Sequence, residues 1–281
     1  MRDELYTAFM DHYYPAESPT LATPDPASAS PLQKYAGTYV SNRRNYATFQ
    51  TYIVSASRTE ITATGDGTLV VVDDKGQAEY IETAPGVFSR ADGTRQASGD
   101  LVFHTAADGT VDFFAYSNIP AFVNDRASWY SAPDLLGSVL AGAGILLATV
   151  LLWPLLAAFR RANGIPAPEQ PPTARFARWT AGAAAVLLLA FVALLLPAVA
   201  ADSMVLSQYL LEPGTPAILV AVLTVPVVGA VLTLVVIVCA ALAWKNRYWT
   251  PLHRAHYSLI AVALLAMLWW VNINNLWVFR L

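Results

Sequence analysis

The chain has 281 residues, 56% hydrophobic and only 13% charged, with a net charge of −3. Soluble domains carry about 25% charged residues, which excludes a wholly soluble protein. Residues 1–131 hold 9 Lys/Arg against 16 Asp/Glu, and residues 132–281 hold 8 against 4. This acidic part joined to a basic, apolar part lacks the basic patch of a nucleic-acid binder, and the single cysteine, Cys239, excludes an intramolecular disulfide or a cysteine metal site.

In chain order, residues 1–15 read as a short helix, with Leu5, Phe9 and Met10 at helical spacing. Residues 16–32 are a Pro/Ala/Ser/Thr linker. From 33 to 131 the pattern is an antiparallel β-domain. Short runs such as "YAGTYVS", "ATFQTYIVSA", "TEITATG", "TLVVVDD" and "TVDFFAYS" are rich in β-branched and aromatic residues. "GDG" at 65–67 and "ADG" at 91–93 and 107–109 separate several of them. Seven or eight strands predict a small barrel or sandwich. Alternation sets Val111, Phe113 and Ala115 against Asp112, Phe114 and Tyr116, and Val70, Val72, Phe103 and Phe113 are candidates for the inward face. Tyr35, Gly37 and Tyr39 share one strand face, and Arg43 and Arg44 leave that strand at the surface. "IPAFVNDRASWYSAPD" then carries Trp129 and Tyr130 down to a membrane interface.

Residues 132–281 hold four apolar runs at 135–159, 179–201, 216–244 and 257–278. Each is long enough to cross a bilayer as a helix. The fold class is thus an α+β membrane protein, a β-barrel or sandwich followed by a four-helix transmembrane bundle. Arg160, Arg161, Arg175 and Arg178 follow the first run, and Lys245, Arg247 and Arg254 follow the third. Positive loops stay cytoplasmic, which places the β-domain and the C-terminus outside. Pro226 lies mid-run and predicts a kink. Asn272 and Asn275 lie three apart near the outer boundary. They read as substrate ligands of a transporter or as interhelical hydrogen-bonding groups. The lack of a charged residue at any span centre favours the second reading. The N-terminus carries no signal peptide, so the expectation is a C-terminal portion of a longer exported protein. Three lysines among 17 basic residues, with abundant alanine, point to a GC-rich bacterial genome and hence the bacterial cytoplasmic membrane.

A motif order stands out: Phe9, Asp11, Tyr13, Tyr14 and Pro15; then Tyr35, Gly37, Tyr39, Ser41 and Arg43; then "VFSRADG" and "DLVFHTAADG"; last Tyr248, Trp249, Arg254, His256 and Tyr257. It resembles the C-terminal half of bacterial class C β-lactamase-like, penicillin-binding-protein-like serine hydrolases, some of which append a lipocalin-like β-domain and a membrane bundle. That family's chemistry needs Ser-x-x-Lys. Here Lys34, Lys75 and Lys245 are preceded at that spacing by Pro31, Val72 and Leu242, and "YSN" at 116–118 matches Tyr-x-Asn in letters only. The resemblance therefore implies an accessory region without the catalytic domain.

His253 and His256 lie three apart, without an acidic or cysteine neighbour to complete a metal site. Asp73, Asp74, Asp92 and Asp108 sit at turns, where calcium is the alternative to simple turn chemistry. No cofactor is implied. Three readings follow: an anchored accessory module positioning a serine hydrolase domain, a barrel binding an apolar or cell-wall-derived ligand, and a hydrolase in its own right. The partners are the lipid bilayer and a hydrolase domain, upstream or on a separate chain. Candidate interaction residues are Tyr35, Tyr39, Arg43, Arg44, Trp129, Tyr130, Asn272 and Asn275.

Overall fold

A computed structural model describes residues 9, 12–13, 32–43, 45–49, 51–52, 58–73, 76–94, 99–166, 169–200 and 217–280. The expected helix at 1–15, the linker at 16–32 and Arg44 lie almost wholly outside these residues. The described residues form two units, one within 1–44 and 54–128, the other within 45–53 and 129–281.

The first unit is a closed antiparallel barrel of eight strands in sequential order. The strands are β1 (Gly37–Ser41), β2 (Arg58–Ala63), β3 (Thr68–Asp73), β4 (Gly76–Ala84), β5 (Val87–Arg90), β6 (Leu101–Thr105), β7 (Val111–Tyr116) and β8 (Ile119–Arg126). The barrel-or-sandwich expectation resolves as a lipocalin-like up-and-down barrel. β8 occupies the stretch read as a descent to the membrane. It closes the barrel on β1, with Tyr39 opposite Arg126 and Ser41 opposite Asn124. Closure removes both sheet edges, which otherwise invite pairing with other chains.

The repeated Asp-Gly-Thr turns share one chemistry. The Asp66, Asp92 and Asp108 carboxylates accept the main-chain N–H of Thr68, Thr94 and Thr110, and the glycine between takes a positive φ of 71° to 90°. Arg90 also pairs with Asp92 at 2.7 Å, which with the Thr94 N–H holds that carboxyl down at about 2.

The interior is filled. Tyr35, Tyr39, Leu69, Phe88, Leu101, Phe103, Val111 and Phe114 are buried in one cluster, and Tyr35, Phe88, Phe103 and Phe114 meet at ring separations of 4.8 to 5.6 Å. Three expected inward positions are corrected. Phe113 and Val70 are only half-buried and Val72 is exposed, the buried residues of β3 being Leu69 and Val71. On β7, Thr105 pairs with Val111 but His104 pairs with Phe113. Asp112 is thus an extra residue, a β-bulge that shifts the alternation by one. Val111 and Phe114 consequently both point inward.

Arg126 fastens the closure. Its guanidinium donates to the carbonyls of Lys34 (3.2 Å), Ala36 and Val111 (3.4 Å). It passes over Gly37, where a Cβ would stand 3.0 Å from Arg126 Nε. That close approach explains glycine at this position.

The second unit is the helical bundle: α1 (Pro133–Ala148), α2 (Leu152–Ala162), α3 (Pro172–Ala200), α4 (Ala217–Lys245) and α5 (Pro251–Ile273). Four spans are long and apolar enough to cross a membrane, α1 and α2 together making the first. A 3-10 turn at Thr149–Leu151 separates α1 from α2. Pro154 cannot donate to Val150, and the Thr149 hydroxyl donates back to the Leu146 carbonyl at 2.5 Å. Pro226 lies inside α4, which continues through it. Ala177, Ala181, Ala184, Ala185 and Leu188 form a fully buried seam on α3, and Leu188 lies over Gly229 of α4. Small residues let membrane helices approach closely in this way.

Candidate functional site

Residues 45–53 separate β1 from β2 in sequence but belong to the bundle unit. A strand was expected at 47–56. The described residues instead form turns at Tyr46–Ala47 and Phe49 and one helical step at Thr51–Tyr52. The Asn45 side chain accepts the Ala47 N–H at 3.0 Å, and the Thr51 hydroxyl donates to the Asn45 carbonyl at 2.8 Å. These bonds fold the segment on itself and set Phe49 and Tyr52, three residues apart, toward the helices.

Phe49 is 6% exposed. It is buried with Leu136 of α1, Phe191 and Leu195 of α3, Leu223 of α4, and Trp270 and Val271 of α5. Residues from all four spans thus share one buried cluster with this phenyl ring. Tyr52 meets Trp270 edge-on at 5.6 Å, and burial pushes the Tyr52 phenol above its ordinary value.

Helix α5 supplies the polar half of the contact. Its end is a Schellman motif. Asn275 takes φ +54°, its N–H donates to the Asn272 carbonyl, and the Leu276 N–H donates to the Val271 carbonyl at 3.0 Å. Asparagine is the residue besides glycine that tolerates this conformation. The Asn275 side chain is thereby aimed at the segment: Nδ2 donates to the Tyr46 carbonyl at 2.9 Å and to Thr51 Oγ1 at 3.3 Å. The Phe49 N–H donates to the Arg280 carbonyl at 3.1 Å. The expected interhelical role of Asn275 is therefore corrected, because its partner is the chain's own inserted segment. Asn272 is exposed on the last turn.

The remaining candidates are scattered. Tyr35 and Tyr39 are interior residues, 1% and 0% exposed, so they are corrected from contact residues to core. Tyr39 donates its hydroxyl to the Tyr35 carbonyl at 2.8 Å, and burial pushes its phenol up to about 12. Arg43 is exposed, its guanidinium 4.4 Å from the Phe122 ring centre. Trp129 and Tyr130 form an exposed 3-10 turn just before α1. His253 bonds Thr250, and His256 bonds Thr149 at 2.8 Å, so the two rings serve different partners.

Sequence reasoning missed Glu82, a buried carboxylate inside the barrel. Its Oε1 accepts the Gly86 N–H at 2.8 Å and the Tyr35 hydroxyl at 3.3 Å, while Oε2 is buried without a partner among the described residues. The two-residue step from Tyr80 puts it on the inward face, which is the signal a reader of the sequence could have used.

Compared with known protein families, curated proteins and solved structures, the chain matches none.

Proposed function

We propose that the chain is a membrane-anchored, non-catalytic accessory module of a β-lactamase-like serine hydrolase. It positions or regulates a hydrolase domain that lies upstream in the same chain or on a separate one. The four spans anchor it in a bacterial cytoplasmic membrane. The distribution of Lys and Arg between the loops supports a barrel and a C-terminus on the extracytoplasmic side.

The observation that carries this reading is the filled barrel. Aromatic rings in van der Waals contact occupy the interior, which weighs against a ligand held inside and leaves recognition to the outer wall. That wall offers an apolar row across four strands: Val87 opposite Val102, Val102 opposite Ala115, and Ala115 opposite Val123. The kind of partner rests on the resemblance in motif order. Photo-crosslinking from this row, read out with a serine-hydrolase probe, tests it.

A further inference from the structure

A groove of about 580 Å³ runs between α3 and α4, lined by Pro172 and Phe176 on one side and Leu234, Val238 and Leu242 on the other, with Tyr248 at its mouth. Its walls are almost entirely apolar. From Leu234 to Lys245 the helix rises about 16 Å, close to the depth of one leaflet of a ~30 Å hydrocarbon core. Lys245 is exposed and lies one turn beyond Leu242 on the same helix face. The stretch from Lys245 to Tyr257 carries Lys245, Arg247 and Arg254 and no acidic residue.

The backbone at the mouth adds a second observation. Helix α4 ends in a Schellman motif, with the Tyr248 N–H donating to the Ala243 carbonyl at 3.2 Å. The left-handed position in that motif is Arg247, at φ +54°. Glycine or asparagine is usual there. The corresponding turn after α2 uses Gly164, and that after α5 uses Asn275. The arginine that takes this strained conformation is exposed and directly precedes Tyr248 in the chain.

We propose that this groove binds an anionic phospholipid. One acyl chain lies between α3 and α4, and the phosphate is held by Lys245 and Arg247. The inference needs only that the helices span a bilayer, and it is independent of any hydrolase partner. A juxtamembrane basic residue favours an anionic headgroup by roughly fivefold, so the pair gives roughly thirtyfold.

The test is native mass spectrometry of the delipidated full chain, titrated with phosphatidylglycerol or phosphatidylcholine of identical acyl chains. The expected result is preferential phosphatidylglycerol binding. Lys245→Gln and Arg247→Gly should each reduce that preference about fivefold. Arg247→Gly also relieves the left-handed strain, so it should keep or raise the thermal midpoint while losing the preference. Leu242→Trp should block both lipids. Equal binding of the two lipids, a preference unchanged in Lys245→Gln and Arg247→Gly, lipid retained by Leu242→Trp, or lipid-free dimers in place of lipid adducts would each overturn the proposal.

Discussion

The side-chain amide of Asn275 reaches the main-chain carbonyl of Tyr46 at 2.9 Å, across 229 residues of sequence. The same residue ends α5 in the left-handed conformation. One asparagine therefore both stops the last span and receives the segment inserted between β1 and β2.

These two roles separate by mutation. Asn275→Gly keeps the helix end and loses the side-chain bonds to Tyr46 and Thr51, a cost of about 1 kcal/mol per bond. Asn275→Ala adds roughly 1 kcal/mol of left-handed strain. Hydrogen exchange at the Phe49 amide, which donates to Arg280, should accelerate in both variants, and the thermal midpoint should fall further for Asn275→Ala. Equal midpoints would show that the cap contributes nothing.

Phe49→Ala removes a ring from the buried cluster to which all four spans contribute. The expected loss is about 3 kcal/mol, the range for a large buried side chain cut to alanine, measured by unfolding of the full chain in detergent. Phe122→Ala, at an exposed barrel ring, is the control and should cost little.

Much of the fold could be read from the sequence because its signals are local. Span length, the Asp-Gly-Thr turns and the run of strands all depend on near neighbours in the chain. The segment 45–53 could not be read this way. Its letters favour strand, and only tertiary burial of Phe49 and Tyr52 overrides that preference. β8 was hidden by Pro120 and by Asn124 and Asp125, residues rare in strands, because its reason to extend is the closure onto β1. The β7 bulge is invisible to a strict two-residue alternation. Of the candidate site, Asn275 stood out by type and position at the end of the last span, but its bonding partner Tyr46 lies too far away in sequence to be named from local pattern.

The barrel should lose stability in alkali. Burial raises the Tyr39 phenol to about 12 from 10.0, so the folded state holds that proton more tightly than the unfolded chain. The stabilisation is complete below pH 10 and is lost as pH rises toward 12. Tyr35 and Tyr80 shift in the same direction. Thermal midpoints across this window should fall for the parent, and the slope should be shallower for Tyr39→Phe. An equal slope would assign the effect to other groups.

Gly229 sets the spacing of α3 and α4. A Cβ there would stand 2.7 Å from Leu188 Cδ2, so Gly229→Val should destabilise the bundle by about 1–3 kcal/mol through overpacking. Leu188→Ala in the same chain should recover part of that loss. The check is a double-mutant cycle on unfolding in detergent. Strictly additive effects would rule out the contact as the cause.

The most direct measurement of the proposed function is a photo-crosslinker placed at Val102, on the outer apolar row, in cells producing the whole protein. The products are then treated with a fluorophosphonate probe that labels serine hydrolases. The account predicts crosslinked species that carry the probe, while the chain alone stays unlabelled. Crosslinked species that never carry the label, or labelling of the isolated chain itself, would contradict it.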